Sequence, residues 1–104
     1  MVTTVPRKKI EVLVDTPLLS RIQELAGDAG ASGYTLHRTV GGEGGQGPWR
    51  TEEVTGGAGS KLLFTTIVDE AGAERFLAAL EPLLSEYGLL VTIASIEVIR
   101  GERF

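Results

Sequence analysis

Ser60-Lys-Leu-Leu-Phe-Thr-Thr-Ile-Val68, SKLLFTTIV, is the stretch whose reading sets the architecture. It is rich in β-branched and apolar residues, and it follows a long segment without apolar periodicity, so it is read as a strand. Asp69 comes next and is suited to cap a helix. Phe76, Leu80, Leu84 and Tyr87 then recur at helical spacing, with Leu77 and Leu83 beside them. Pro82 falls inside this helix, where its missing amide proton is expected to bend or interrupt it. Gly88 closes the helix, and Leu89–Ile99 forms a final strand.

The same order appears before the glycine-rich segment. Met1–Arg7 reads as a polar arm. Ile10, Val12 and Val14 alternate with Glu11, Leu13 and Asp15, a strand pattern. Thr16 and Pro17 read as a helix cap followed by proline at the first helical position. Leu18, Ile22, Leu25 and Ala29 supply the buried stripe of a helix over Pro17–Ala29, with Gly30 as its stop. Gly33–Val40, GYTLHRTV, is a second strand. Strand–helix–strand twice, joined by a loop, gives an α+β fold of the ferredoxin-like βαββαβ sandwich type, in one domain spanning residues 1–104. Both helices cover one sheet face. Leu13, Leu63, Ile67, Leu90, Ala94 and Ile96 fall on the other face, which predicts that sheets pack on sheets in an oligomer.

Composition excludes much. The 104 residues are 42% apolar and 23% charged, and a domain of this size buries roughly two-thirds of its unfolded surface, a marginal core that oligomerisation would relieve. A net charge of −4 offers no basic footprint for nucleic acid or an anionic membrane. Without cysteine there is no disulfide, thiolate or cysteine-based zinc chemistry, and one histidine, His37, builds no metal site alone. No apolar run reaches the ~18 residues of a membrane span, and the start is no signal peptide, so a cytoplasmic protein is expected. Asparagine is absent, which removes an acylphosphatase-type arginine–asparagine site. No nucleophile elbow surrounds any serine, and no carboxylate pair stands out. The chain is not expected to be an enzyme.

The chemistry concentrates in Gly41–Gly59, where eight of 19 residues are glycine. Loops above ~15 residues are usually functional or disordered, and this one is expected to be flexible. It begins Gly41-Gly-Glu-Gly-Gly-Gln-Gly-Pro-Trp-Arg50. Glycines let backbone N–H groups approach an anion, and Arg50 adds a bidentate donor. The closing Gly-Lys-Ser/Thr of a P-loop is missing, and a simple linker fits as well. Trp49 could bind a partner or anchor the loop to its own subunit. Arg100 and Arg103 could meet phosphate or pair with Glu97 and Glu102. Lys8 and Lys9 suit a solvated strand start, His37 a surface or interface position, and Glu52–Glu53 a solvated loop face.

The chain resembles the PII signal-transduction superfamily over nearly its whole length. The resemblance is carried by Lys8-Lys9-Ile10-Glu11-Val12, by Ala31-Ser-Gly-Tyr-Thr35 before the long loop, and by Ile96-Glu-Val-Ile-Arg-Gly-Glu-Arg-Phe104. Gly33-Tyr34-Thr35, Gly41-Gly42-Glu43-Gly44, Arg50 and Glu97-Val98 fit the PII-like branch linked to carboxysomes and bicarbonate transporters. The resemblance implies a homotrimer that binds an adenine nucleotide in clefts between subunits, at the base of the loop, there called the T-loop. Carried over, Gly33, Thr35, Gly41, Gly42 and Arg50 lie on the loop side, and Gly88, Glu97, Arg100 and Arg103 near the facing wall. Departures refine this. Glu86-Tyr-Gly-Leu-Leu-Val91 replaces the Gly-Asp-Gly-Lys phosphate loop of the nitrogen-regulatory members, and the modifiable loop tyrosine and the C-terminal cysteine pair are absent. Fewer cations near the terminal phosphates favour ADP or AMP over ATP, with cyclic AMP as a further ligand to test. Bicarbonate beside the nucleotide, and a transporter or carbon-metabolism protein as partner, complete the expectation. A nucleotide-independent interaction module and a small-anion sensor remain as alternatives.

Overall fold

The structure is a computed structural model that describes residues 2–44, 47–50 and 60–100. Its elements are β1 (Val5–Asp15), a 3-10 turn (Thr16–Leu18), α1 (Leu19–Asp28), β2 (Thr35–Arg38), β3 (Gly41–Gly44), β4 (Gly47–Arg50), β5 (Lys61–Val68), α2 (Glu70–Tyr87) and β6 (Leu90–Val98). Four strands form an antiparallel sheet in the order β2-β5-β1-β6, the ferredoxin-like arrangement expected from the sequence. A separate two-stranded ribbon pairs β3 with β4.

Both helices lie on the face formed by Ile10, Val12 and Val14 of β1 and Phe64, Thr66 and Val68 of β5, all buried. Ile22 and Ala26 of α1 and Ala73, Phe76 and Leu80 of α2 close this core. Phe64 is its hub. Its ring stacks on Tyr34 at 5.2 Å between centroids and meets Phe76 edge-on at 6.1 Å. Thr66, the buried polar residue of β5, spends its hydroxyl on the Gly33 carbonyl at 2.7 Å.

The helix ends follow local chemistry. The Asp69 carboxylate accepts from the Gly72 amide at 2.8 Å, as its position predicts. After α1, the amides of Gly30 and Ala31 donate to the carbonyls of Gly27 and Ala26, a Schellman closure that needs the left-handed φ of +97° at Gly30. Arg75 of α2 donates to the Ala29 carbonyl at 3.0 Å, which places a cation at the C-terminus of α1 and ties the helices together.

Several expectations are corrected. Val5–Arg7 are strand and not part of a loose arm, because β1 starts at Val5, where β6 still offers a partner in Val98. Pro6 is tolerated because β5 pairing begins only at Lys8, so one side of β1 is an edge there. Thr16 does not cap a helix; its hydroxyl meets that of Ser60 at 2.8 Å, and α1 begins through the 3-10 turn. Pro82 does not break α2, which runs continuously. It sits on the exposed side one turn after exposed Ala78, where water can satisfy the carbonyl that loses its donor.

The face away from the helices carries Leu13 opposite both Leu63 and Leu90, Lys9 opposite Ile67 and Ala94, and Arg7 opposite Ile96, the residues expected there. A polar row crosses it. Thr35, Thr65, Glu11 and Thr92 are successive partners across the four strands, and the Thr65 hydroxyl donates to Glu11 at 3.2 Å. The face is amphipathic rather than uniformly apolar.

Candidate functional site

The chain leaves the sheet at one end, where β1 finishes at Asp15, β2 at Arg38, and β5 begins at Lys61. The composition of Gly41–Gly59 predicts no regular structure, yet Gly41–Gly44 and Gly47–Arg50 form the β3–β4 ribbon. Backbone pairing needs no apolar alternation, so the hydrophobic pattern is blind to it. Residues 51–59, with Glu52 and Glu53, lie outside the described residues, as do Gln46 and Arg103.

Trp49 fixes the ribbon to its own chain. Its partner across the ladder is Gly42, and a Cβ at Gly42 would lie 2.5 Å from the indole rim. The ring therefore occupies the volume that any other side chain would need. The indole Nε1 faces the Thr39 hydroxyl at 3.5 Å, and the Lys61 ammonium stands 5.3 Å from the ring centroid. Thr39 in turn donates to the Lys61 carbonyl at 2.6 Å, and Lys61 donates to Asp15 Oδ1 at 2.7 Å. Gly41 is constrained further. Its φ is +156°, and a Cβ there would meet the Trp49 carbonyl at 2.7 Å.

Asp15 and Lys61 are register partners on adjacent strands, so the strands themselves bring the pair together. Arg38 and Arg50 end β2 and β4, and Lys61 opens β5; Arg38, paired with Leu62, lies on the helix side of the sheet and Lys61, paired with Asp15, on the other face. Thr39, Asp15 and Lys61 were missed in the sequence. The signal available was the opposite charges at the ends of two strands that a βαββαβ order pairs.

The expected site residues fall in separate places. Gly41, Gly42 and Arg50 are in the ribbon. Thr35 opens β2, an edge strand, and Gly33 precedes it with its carbonyl held by Thr66. Gly88, left-handed at φ +62°, ends α2 at the same end of the sheet, because Leu90 pairs with Leu13, but against the opposite edge. Glu97 and Arg100 lie at the far end of β6. Glu97 pairs with Pro6 and accepts from the Thr4 hydroxyl at 2.6 Å. Three strand spacings and eight residues of β1 separate Glu97 from the loop base, about 14 Å across and about 26 Å along the sheet. One chain does not bring the two groups together.

His37 is exposed on β2, opposite Leu63. Lys8 reaches the Ser95 hydroxyl at 2.8 Å. Among the described residues, no group of three His, Cys, Asp or Glu side chains is placed to hold a metal ion, and no helix is long and apolar enough to cross a membrane.

Comparison with known proteins fits this geometry. A structure of CPII from Thiomonas intermedia K12, a nitrogen regulatory PII-like protein bound to ADP, AMP and bicarbonate, superposes with a TM-score of 0.93 at 21% identity, covering 100% of this chain and 98% of that one. A second CPII structure, bound to ADP and bicarbonate, gives 0.90 at 21% identity, covering 100% and 99%. A PII-like signalling protein from Thermus thermophilus gives 0.84 at 28% identity over 97% of each chain. A search among curated proteins finds no match. The family model for nitrogen regulatory protein P-II matches residues 7–103, nearly the whole chain, and the chain therefore belongs to the P-II family.

Proposed function

We propose that this chain is a non-enzymatic, cytoplasmic regulator that assembles as a homotrimer, binds an adenine nucleotide in the clefts between subunits, and signals through the loop that follows β2. The observation that carries the proposal is the separation described above. The loop-base glycines and Arg50 lie at one edge and end of the sheet, Glu97 and Arg100 at the other edge and end. A site that uses both groups draws them from two copies. The half-exposed face bearing Leu13, Leu63, Ile67 and Leu90 is the surface on which such copies would pack, and its polar row would set their register.

ADP or AMP is the favoured ligand. Arg50, Lys61 and glycine backbone suit one or two phosphates, and the CPII structures hold ADP or AMP with bicarbonate. Bicarbonate, which the CPII structures hold, is the second ligand of this reading; a transporter or carbon-metabolism protein as the partner rests on the sequence resemblance alone. A ligand that binds two loop states with different affinity shifts their populations and so changes the surface a partner meets.

Isothermal titration with AMP, ADP, ATP and cyclic AMP, with and without bicarbonate, tests this alongside the mass of the assembly in solution. The expected result is a trimer that binds about one nucleotide per subunit, ADP or AMP most tightly, with tryptic cleavage after Arg50 slowed at saturation. A folded oligomer that binds none of the four would leave the loop as a nucleotide-independent interaction module. Heat from bicarbonate alone would favour the anion sensor.

A further inference from the structure

We propose that Lys61 is an exchange residue, paired with Asp15 under the Trp49 indole in the structure and handed to the phosphate of the ligand on binding, so that Trp49 leaves its seat when the site fills. The inference rests on the nucleotide reading above and adds to it a phosphate-contacting residue and the way binding reaches the ribbon.

Three observations converge on Lys61. It is the most enclosed cation at the loop base, with a side chain 19% exposed, and it touches both the sheet and the ribbon. Its ammonium has three donors, of which one goes to Asp15 Oδ1 at 2.7 Å. The indole face 5.3 Å away offers only its quadrupole, so donor capacity is left for an anion. Its present partner is easily displaced, because the Asp15 side chain is 47% exposed and a solvated ion pair is weak. A phosphate with up to two negative charges outcompetes one half-solvated carboxylate, and Asp15 is returned to water.

The consequence for the ribbon is mechanical. Trp49 packs across Gly42, beneath Thr39 and beside Lys61, and Thr39 is bound to the Lys61 carbonyl. Moving the ammonium removes the cation from the ring face while the backbone bond at Lys61 stays. The indole loses one wall of its seat. The ribbon, tied to the sheet mainly through that ring, can then settle against the bound phosphates through Arg50.

Trp49 is the sole tryptophan, so its emission reads this step directly. The full chain is titrated with ADP and, separately, with inorganic pyrophosphate, following Trp49 emission and acrylamide quenching beside calorimetry. Expected is a saturable change in emission with at least twofold stronger quenching. Asp15→Asn should bind ADP three- to tenfold more tightly, because the competing carboxylate is gone. Lys61→Met should bind about tenfold more weakly, with its emission unresponsive at saturating ADP. Glu24→Gln, the same charge change at a surface pair on α1, controls for bulk electrostatics and should leave affinity within twofold. Circular dichroism confirms that each variant is folded; should Lys61→Met unfold, Lys61→Arg takes its place, and it should retain the response. ADP heat with silent Trp49 emission, or an Asp15→Asn variant that binds no tighter than Glu24→Gln, overturns the exchange and spares the nucleotide reading. No ADP heat, but a pyrophosphate response lost in Lys61→Met, overturns the nucleotide reading and keeps the exchange. Silence to both ligands overturns both.

Discussion

The helix-covered side of the sheet and the ribbon beyond its end are specified in opposite ways. On the covered side, Ile10, Val12, Val14, Phe64, Ile22, Phe76 and Leu80 are all buried in one continuous cluster, so the fold survives modest changes at any one of them. The ribbon has no such redundancy. Among the described residues, the Trp49 indole, packed across Gly42 and set against Thr39 and Lys61, holds Gly41–Gly44 and Gly47–Arg50 to the sheet. A region held by many contacts stores global stability; a region held by one can be moved by a single ligand. Changes on the first side should register in unfolding, and changes in the second in local opening, with the sheet intact.

The largest effect is expected at Phe64. It is fully buried between Tyr34 and Phe76, so Phe64→Ala removes a ring from the centre of the core and leaves a cavity. Chemical denaturation should show a loss of about 3–5 kcal/mol. A loss below about 1 kcal/mol would mean that the two sides are less different than their packing suggests.

This contrast also explains what could be read in advance. The strands and helices of the core were legible because a buried face must repeat every two or every 3.6 residues, and Ile10, Val12 and Val14 or Phe76 and Leu80 do. The capping role of Asp69 and the stops at Gly30 and Gly88 were legible for the same local reason. The ribbon was not, since its ladder uses backbone and its glycines carry no pattern. Trp49 was visible as an anchor or a partner contact but not separable between them, because its seat is built by Thr39 and Lys61, ten and twelve residues away, and becomes a seat only when β2 and β5 pair. The distance between Arg50 and Glu97 follows from strand order, which spacing alone does not give.

The next prediction tests the ribbon where it is most constrained. Gly41→Ala places a methyl group 2.7 Å from the Trp49 carbonyl, on a backbone with φ +156°. Strain at such a position costs about 1–3 kcal/mol, and here relief is available by opening the ribbon rather than by unfolding the sheet. Tryptic cleavage after Arg50 should accelerate about tenfold, while the unfolding midpoint in denaturant stays near the wild-type value. A matching fall in global stability would show that ribbon and sheet unfold as one unit.

Asp69→Ala tests the core side at an exposed position. The carboxylate satisfies the Gly72 amide at 2.8 Å, and losing such a cap costs about 1 kcal/mol. Thermal or chemical unfolding should record it, with cleavage after Arg50 unchanged. A loss beyond about 2 kcal/mol would mean that the start of α2 is a nucleus for the whole domain rather than one contributor among several.

The smallest effect is expected from Trp49→Phe, and it decides what kind of contact holds the ribbon. The indole N–H sits 3.5 Å from the Thr39 hydroxyl, at the outer limit of hydrogen bonding, so little is lost with it. A phenyl ring keeps an aromatic face toward Lys61 but lacks the outer indole atoms that lie over Gly42, and its weaker quadrupole and smaller area bind the ribbon less well. Global stability should change by less than about 0.5 kcal/mol, as for a substitution outside the core. Cleavage after Arg50 should rise only about two- to threefold, well short of Gly41→Ala. If Trp49→Phe opens the ribbon as far as Gly41→Ala does, the main restraint is either the outer indole rim over Gly42 or the indole N–H, and in the second case Thr39 anchors the loop. Thr39→Val would then reproduce the effect with the indole still in place, and the comparison between a packed core and a stacked ribbon would become one between packing and a single polar contact.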